Sequence, residues 1–168
     1  MTANLALAAA LCAFGLAAPV AAQEIERTYP TPTSFIASTV TVPPGTELIF
    51  VSGQLPNVAD ASAPAGSVEA YGDTETQAES TFAKIKALLE TRGLTMGDVV
   101  SMTVYLVAAP GSDRMDFAAM MRAYNRYFGT PEQPNRPSRS TVQVAGLAGP
   151  GFLVEIEVTA ARTPTPAP

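Results

Sequence analysis

The chain has no histidine, and its single cysteine, Cys12, lies in an apolar N-terminal run. Beyond that run there is neither imidazole nor thiol. A cysteine nucleophile, a serine–histidine triad, a disulfide and the common zinc ligand sets are excluded together. Charge is also scarce: Asp, Glu, Lys and Arg make up 15% of the residues, the net charge is −5 and the pI is about 4.6. A phosphate-backbone partner favours a clustered basic surface, so no nucleic-acid partner is expected. Chemistry in such a chain falls to Arg, Lys, Glu, Asp, Tyr, Ser and Thr, to backbone groups and to water.

What is present suits one globular domain: 168 residues, of which 47% are apolar. Residues 1–22 stand apart. They carry no charged side chain, so the terminal amine alone supplies positive charge, and Val20-Ala21-Ala22 places small residues before Gln23. This pattern predicts a signal peptide cleaved after Ala22 and a periplasmic or secreted protein. The run is short for a membrane span, which needs roughly 20 apolar residues. No membrane anchor is expected after cleavage. Cys12 follows Leu11 rather than a small residue, which argues against a lipoprotein site. Residues 23–33 are expected to form an extended arm, 34–162 the domain, and 163–168 a disordered Pro/Thr/Ala tail.

Within the domain, Ser34 to Val42 has the β-branched content of a strand, and Pro43-Pro44-Gly45 a turn. Glu47 to Ser52 is the next expected strand, and an antiparallel hairpin is the simplest pairing of the two. Residues 53–73 form a long connection, either a bland surface insertion or a segment near a site. Thr74 to Arg92 is the clearest helix. Thr74 and Gln77 have capping-box spacing, and Ala78, Phe82, Ile85, Leu88 and Leu89 form an apolar stripe. Gly93 is placed to end it in the left-handed conformation. Asp98 to Val107 is expected as a strand. Asp113 to Phe128 is expected as a second helix, with Phe117, Met120, Met121, Tyr124 and Phe128 inward as core and Gly129 as the stop. Ser140–Ala145 and Phe152–Ala160 are the last strands, joined by Gly149-Pro150-Gly151.

The order ββαβαββ contains no internal repeat and predicts an α+β domain: a mixed sheet with two helices on one face. The other face needs a cover. Its strands are rich in apolar residues, so association of subunits is the natural solution.

Two side chains draw attention. Arg139 opens one of the late strands and Glu155 lies in the next. A guanidinium grips a carboxylate through two parallel hydrogen bonds, and a carboxylate can take a proton from water or return one. The blander readings are that Arg139 bridges to Glu155 or Glu157, that the two glutamates line a solvated face opposite Val154, Ile156 and Val158, and that Ser52 only ends a strand.

Taken in order, several pieces resemble the RidA family, also called YjgF-type or reactive-intermediate deaminases and, under an older name, endoribonuclease L-PSP. They are Val51-Ser52-Gly53-Gln54-Leu55-Pro56, Gln77, Gly93-Leu94, Gly97-Asp98-Val99-Val100 and Thr103-Val104-Tyr105-Leu106. Phe117 with Tyr124 and Phe128, Pro137-Ser138-Arg139-Ser140-Thr141-Val142 and Val154-Glu155-Ile156-Glu157-Val158 complete the set. It covers roughly residues 34–162. The resemblance implies a chorismate-mutase-like fold and a homotrimer with clefts between subunits. It also implies hydrolysis of 2-imino and 2-enamino acids to 2-keto acids and ammonia, with no metal or organic cofactor. Arg139 falls on the family's substrate-carboxylate arginine and Glu155 on the acid that handles water. Ser52 and Gly53 fall beside the cleft, and backbone groups around Thr141 line it. Ser38 or Thr39 stands where the family often has a tyrosine, Met121 where an asparagine is common, and the 53–73 connection is long. Two other functions fit the same residues: a non-catalytic trimer that captures small carboxylates, and an endoribonuclease.

Overall fold

The computed structural model describes residues 24–163. The expected signal peptide lies outside the described residues, as does the tail from residue 164.

The domain is a mixed α+β fold. Its sheet contains β3 (Glu47–Gln54), β4 (Val99–Leu106), β5 (Ser138–Gln143) and β6 (Val154–Arg162) in the spatial order β3-β6-β4-β5. β6 is antiparallel to both its neighbours, and β4 and β5 are parallel. The two crossovers run through α2 (Thr74–Glu90) and α3 (Phe117–Tyr124), which pack together over one sheet face. The core lies between these layers. Met102, Val104 and Leu106 of β4 and Val154, Ile156, Val158 and Ala160 of β6 meet Ala78, Phe82, Ile85 and Leu89 of α2. Met120, Tyr124 and Phe128 close it from the α3 side. Leu88 and Phe117, expected inward, are 40% and 43% exposed. Leu88 lies one residue before the buried Leu89, so it turns away from the stripe. Phe117 opens α3, beyond the edge of the core.

The start of α2 differs from the capping box expected of Thr74 and Gln77. Asp73 is the cap, and its carboxylate accepts from Thr76 N at 2.8 Å. Gln77 is fully buried and works over a longer range. Its Nε2 donates to Gly72 O and Gly151 O, both at 2.9 Å, and its Oε1 accepts from Leu153 N at 2.8 Å. One side chain thus pins the helix start to the turn that launches β6. Gly93 closes the other end at φ +67, as its position implied.

The N-terminal pairing also differs from expectation. Only Thr39–Thr41 is strand (β2), and it pairs antiparallel with β1 (Glu26–Thr28), inside the segment expected as a plain arm. The hairpin with Glu47–Ser52 does not form. Residues 34–38 are tied elsewhere instead: Tyr124 Oη donates to Phe35 O at 2.8 Å, and Ala37 N donates to Pro137 O at 3.0 Å. Arg27 fastens the arm further, donating through Nη2 to Gly97 O at 3.0 Å. Residues 53–73 are not structureless either. They hold α1 (Val68–Tyr71), and they lean on α2 through Lys84 Nζ to Leu55 O at 2.7 Å and on the last turn through the Tyr71 and Phe152 rings, 4.5 Å apart.

The uncovered sheet face is more polar than expected. Alternation puts Ser52, Ser101, Thr103, Tyr105, Glu155, Glu157 and Thr159 there. Leu48, Phe50 and Val142, at 42%, 76% and 42% exposed, are its large apolar exceptions. The other large apolar residues of these strands lie on the face toward the helices.

Candidate active site

The acid half is built where β3 meets β6. The register between them slips between Val51 and Gln54, a bulge that falls on Ser52 and Gly53. Bulges bend a strand and re-aim its groups. The Glu155 side chain folds over this bulge so closely that a Cβ on Gly53 would overlap its Oε1. Only glycine leaves room for the carboxylate there. On the other side, Tyr105 of β4 is the register partner of Glu155, and its hydroxyl donates to Glu157 Oε1 at 3.1 Å. That bond holds the Tyr105 phenol above its ordinary pKa, with desolvation second, so it stays a neutral donor. Neither Glu155 nor Glu157 joins an ion pair among the described residues. The sequence alternation that put both glutamates on one face is what the strand shows.

The cation half lies on the opposite face. Arg139 is in register with Met102, whose side chain is core, so it points toward the helices. Its guanidinium carbon sits 4.3 Å from the Tyr124 ring centroid and 5.8 Å from that of Phe117. Its Nη2 donates to Met121 Sδ at 3.2 Å. Buried Nη1 has no hydrogen-bond partner among the described residues. Burial pushes the guanidinium below its ordinary pKa, with Tyr124 opposing. Aromatic faces and a weak thioether acceptor hold the cation in place, engaging Nη2 only weakly and leaving Nη1 free. Thr141, two residues on and on the same face, has a buried Oγ1 that is likewise unpaired. Each such orphan costs about 1–3 kcal/mol of folding stability.

Ser52, Gly53 and Glu155 are therefore brought together, and Arg139 and Thr141 are brought together, but the two groups are apart. β4 lies between β5 and β6. Arg139 and Val158 both pair with Met102, so Glu155 is three residues along β6. That amounts to about 10 Å across the strands and about 10 Å along them, on opposite faces. A structural bridge from Arg139 to Glu155 or Glu157 within one chain is ruled out. The sequence reading missed the cage itself. Tyr124 and Met121 are core as expected and Phe117 is not, but helical spacing carries no sign that their stripe meets an arginine from a strand.

The comparisons with known proteins agree with this architecture. The Endoribonuclease L-PSP family model matches residues 36–162, and the chain belongs to that family. A RutC family protein of Haemophilus influenzae is 39% identical over 116 residues, covering 68% of this chain and 79% of its own. The 2-iminobutanoate/2-iminopropanoate deaminase of Escherichia coli is 35% identical over 115 residues, covering 68% and 80%. Among solved structures, E. coli TdcF with bound serine superposes with a TM-score of 0.54 at 31% identity, covering 73% of this chain and 85% of that one.

Proposed function

We propose that this protein is a homotrimeric hydrolase that converts reactive 2-imino and 2-enamino acids into 2-keto acids and ammonia. Each site takes Arg139 and Thr141 from one subunit and Ser52, Gly53 and Glu155 from its neighbour. The observation that carries this reading is the buried Arg139 guanidinium, caged yet left with an unpartnered Nη1. A desolvated cation without an anion is an unfinished ion pair, and the α-carboxylate of a small substrate completes it. Membership of a family with a named iminobutanoate deaminase supplies the reaction class. The face-to-face separation of the two halves supports a shared site, since one small molecule cannot span both within one chain. The family resemblance supports three subunits and a chorismate-mutase-like topology.

The chemistry follows from the parts. Arg139 fixes the carboxylate and so orients the adjacent C=N carbon. Glu155 accepts a proton from water as the oxygen attacks that carbon, giving a carbinolamine. The same carboxyl returns that proton to nitrogen and then relays the carbinolamine hydroxyl proton to nitrogen as well, so that the C=O bond forms as the C–N bond breaks and ammonia leaves. Only protons move, no electrons are gained or lost, and the labile imine needs positioning and modest acid–base help. The family's ribonuclease name finds no support in the net charge of −5.

Freshly generated 2-iminobutanoate is the direct test. The protein is expected to accelerate formation of 2-oxobutanoate above the spontaneous rate. Binding of 2-oxobutanoate without acceleration would instead identify a carboxylate-capturing trimer.

A further inference from the structure

The caged guanidinium has one neighbour with a reactivity of its own. Met121 Sδ accepts from Arg139 Nη2 at 3.2 Å, while Nη1 of the same guanidinium is buried without a partner. The described residues contain no cysteine, histidine or tryptophan, so thioethers are the groups most open to a two-electron oxidant. Met96, Met102 and Met120 are sealed in the core at 5% exposure or less, and Met115 is partly buried ahead of α3. Met121, 9% exposed, is the one whose sulfur meets the guanidinium. A peroxide is smaller than a 2-imino acid, so an opening that admits the substrate to Arg139 admits the oxidant to this sulfur. The asparagine common at this place in the family carries no thioether, so the vulnerability belongs to this chain.

We infer that Met121 is a modification site: a peroxide converts its thioether to a sulfoxide, whose oxygen takes the Arg139 fork and shuts out the substrate carboxylate. This rests on the deaminase reading of the site. A sulfur lone pair attacks one peroxide oxygen, and the S–O bond forms as the O–O bond breaks. The proton on the transferred oxygen passes to the departing hydroxide, which leaves as water. Sulfur loses two electrons and the peroxide gains them. Nη1, with no other partner, is a donor for the departing oxygen. The thioether is a weak acceptor, which a carboxylate readily displaces from Nη2. A sulfoxide oxygen is strongly polar and tethered to the same side chain, so it holds the guanidinium from within and a ligand must compete with it.

The test treats the full oligomer with hydrogen peroxide and compares wild type, Met121→Leu, Met121→Gln and Met115→Leu. Fragment mass spectrometry, which separates Met121 from Met120, locates each added oxygen, and calorimetric titration gives the Kd for 2-oxobutanoate before and after treatment. Wild type should gain one oxygen at Met121, and its Kd should rise roughly ten- to a hundredfold, the loss of one charged hydrogen bond. Met115→Leu should respond as wild type does. Met121→Leu should keep the Kd of its own untreated form, since leucine has nothing to oxidise. Met121→Gln places an amide oxygen where the sulfoxide oxygen would stand, so without peroxide its Kd should lie within about threefold of that of oxidised wild type. Complete oxidation of Met115 with none at Met121 would overturn the inference. So would an unchanged Kd in wild type oxidised at Met121, an equal loss of affinity in treated Met121→Leu, or wild-type affinity in Met121→Gln. Each of these leaves the underlying site reading intact. If untreated wild type does not bind 2-oxobutanoate, the site reading fails, and the inference with it.

Discussion

Arg139→Ala should lose binding of 2-oxobutanoate and, with it, turnover of 2-iminobutanoate. A hydrogen bond to a charged group is worth about 1.5–3 kcal/mol, so loss of a two-pronged contact weakens binding by at least about one to two orders of magnitude. Arg139→Lys should fail nearly as badly. An ammonium is a compact, strongly hydrated point charge that cannot reproduce the planar fork, nor lie flat on the Tyr124 ring 4.3 Å away. The folded state should tolerate the change. Arg139 makes no salt bridge among the described residues, and its one side-chain hydrogen bond is to the Met121 thioether. Calorimetric titration of wild type and both variants with 2-oxobutanoate, alongside thermal melts, checks the prediction. Wild-type affinity in Arg139→Ala would remove the guanidinium from the site.

Glu155→Gln should do the opposite: keep binding and lose turnover. The amide has the carboxylate's shape and fits the space that Gly53 leaves for it, so the site stays formed. It cannot take a proton from water. General-base assistance is worth about 10²–10⁴-fold, and kcat should fall by that order while the Kd for 2-oxobutanoate moves by no more than a few-fold. Single-turnover kinetics on 2-iminobutanoate, corrected for its spontaneous hydrolysis, give the measurement. An unchanged kcat would mean that the water is handled elsewhere, with Glu157 and its Tyr105 partner the next groups to test.

The contrast between these two residues shows what the sequence disclosed. Periodicity revealed the elements that carry their own pattern. The α2 stripe of Ala78, Phe82, Ile85 and Leu89 is core, and the β6 alternation sets Glu155 and Glu157 opposite Val154, Ile156 and Val158. Neighbouring choices of similar chemistry were not legible. Asp73 and Thr74 are both good caps, and tertiary contacts to Gly151 and Leu153 drew Gln77 away from a capping role. The N-terminal hairpin was not legible because backbone pairing leaves no local mark. Thr39–Thr41 pairs with Glu26–Thr28, and hydrogen bonds from Arg27 to Gly97, Tyr124 to Phe35 and Ala37 to Pro137, distant in sequence, tie the arm to the domain. The site divided along the same line. Arg139 and Glu155 lie in consecutive strands, and sequence proximity brings them together on paper. The parallel pairing of β4 with β5 places β4 between them, and side-chain parity then turns them to opposite faces. Neither effect is visible without the strand order. Nor is the polar character of the open face, which follows from which half of each alternating strand the helices claim.

A site shared between subunits has a consequence that no single-chain site has. Arg139→Ala and Glu155→Gln are each expected to be inactive, but each retains the half that the other lacks. Co-expressed and co-assembled into mixed trimers, they should regenerate intact sites wherever a Glu155→Gln subunit supplies its arginine to an Arg139→Ala neighbour. For random assembly around a closed ring, about a quarter of the sites are intact, and roughly that fraction of wild-type imine hydrolysis should return. Activity of the mixed trimers no greater than that of the separate parents would contradict a site shared between chains.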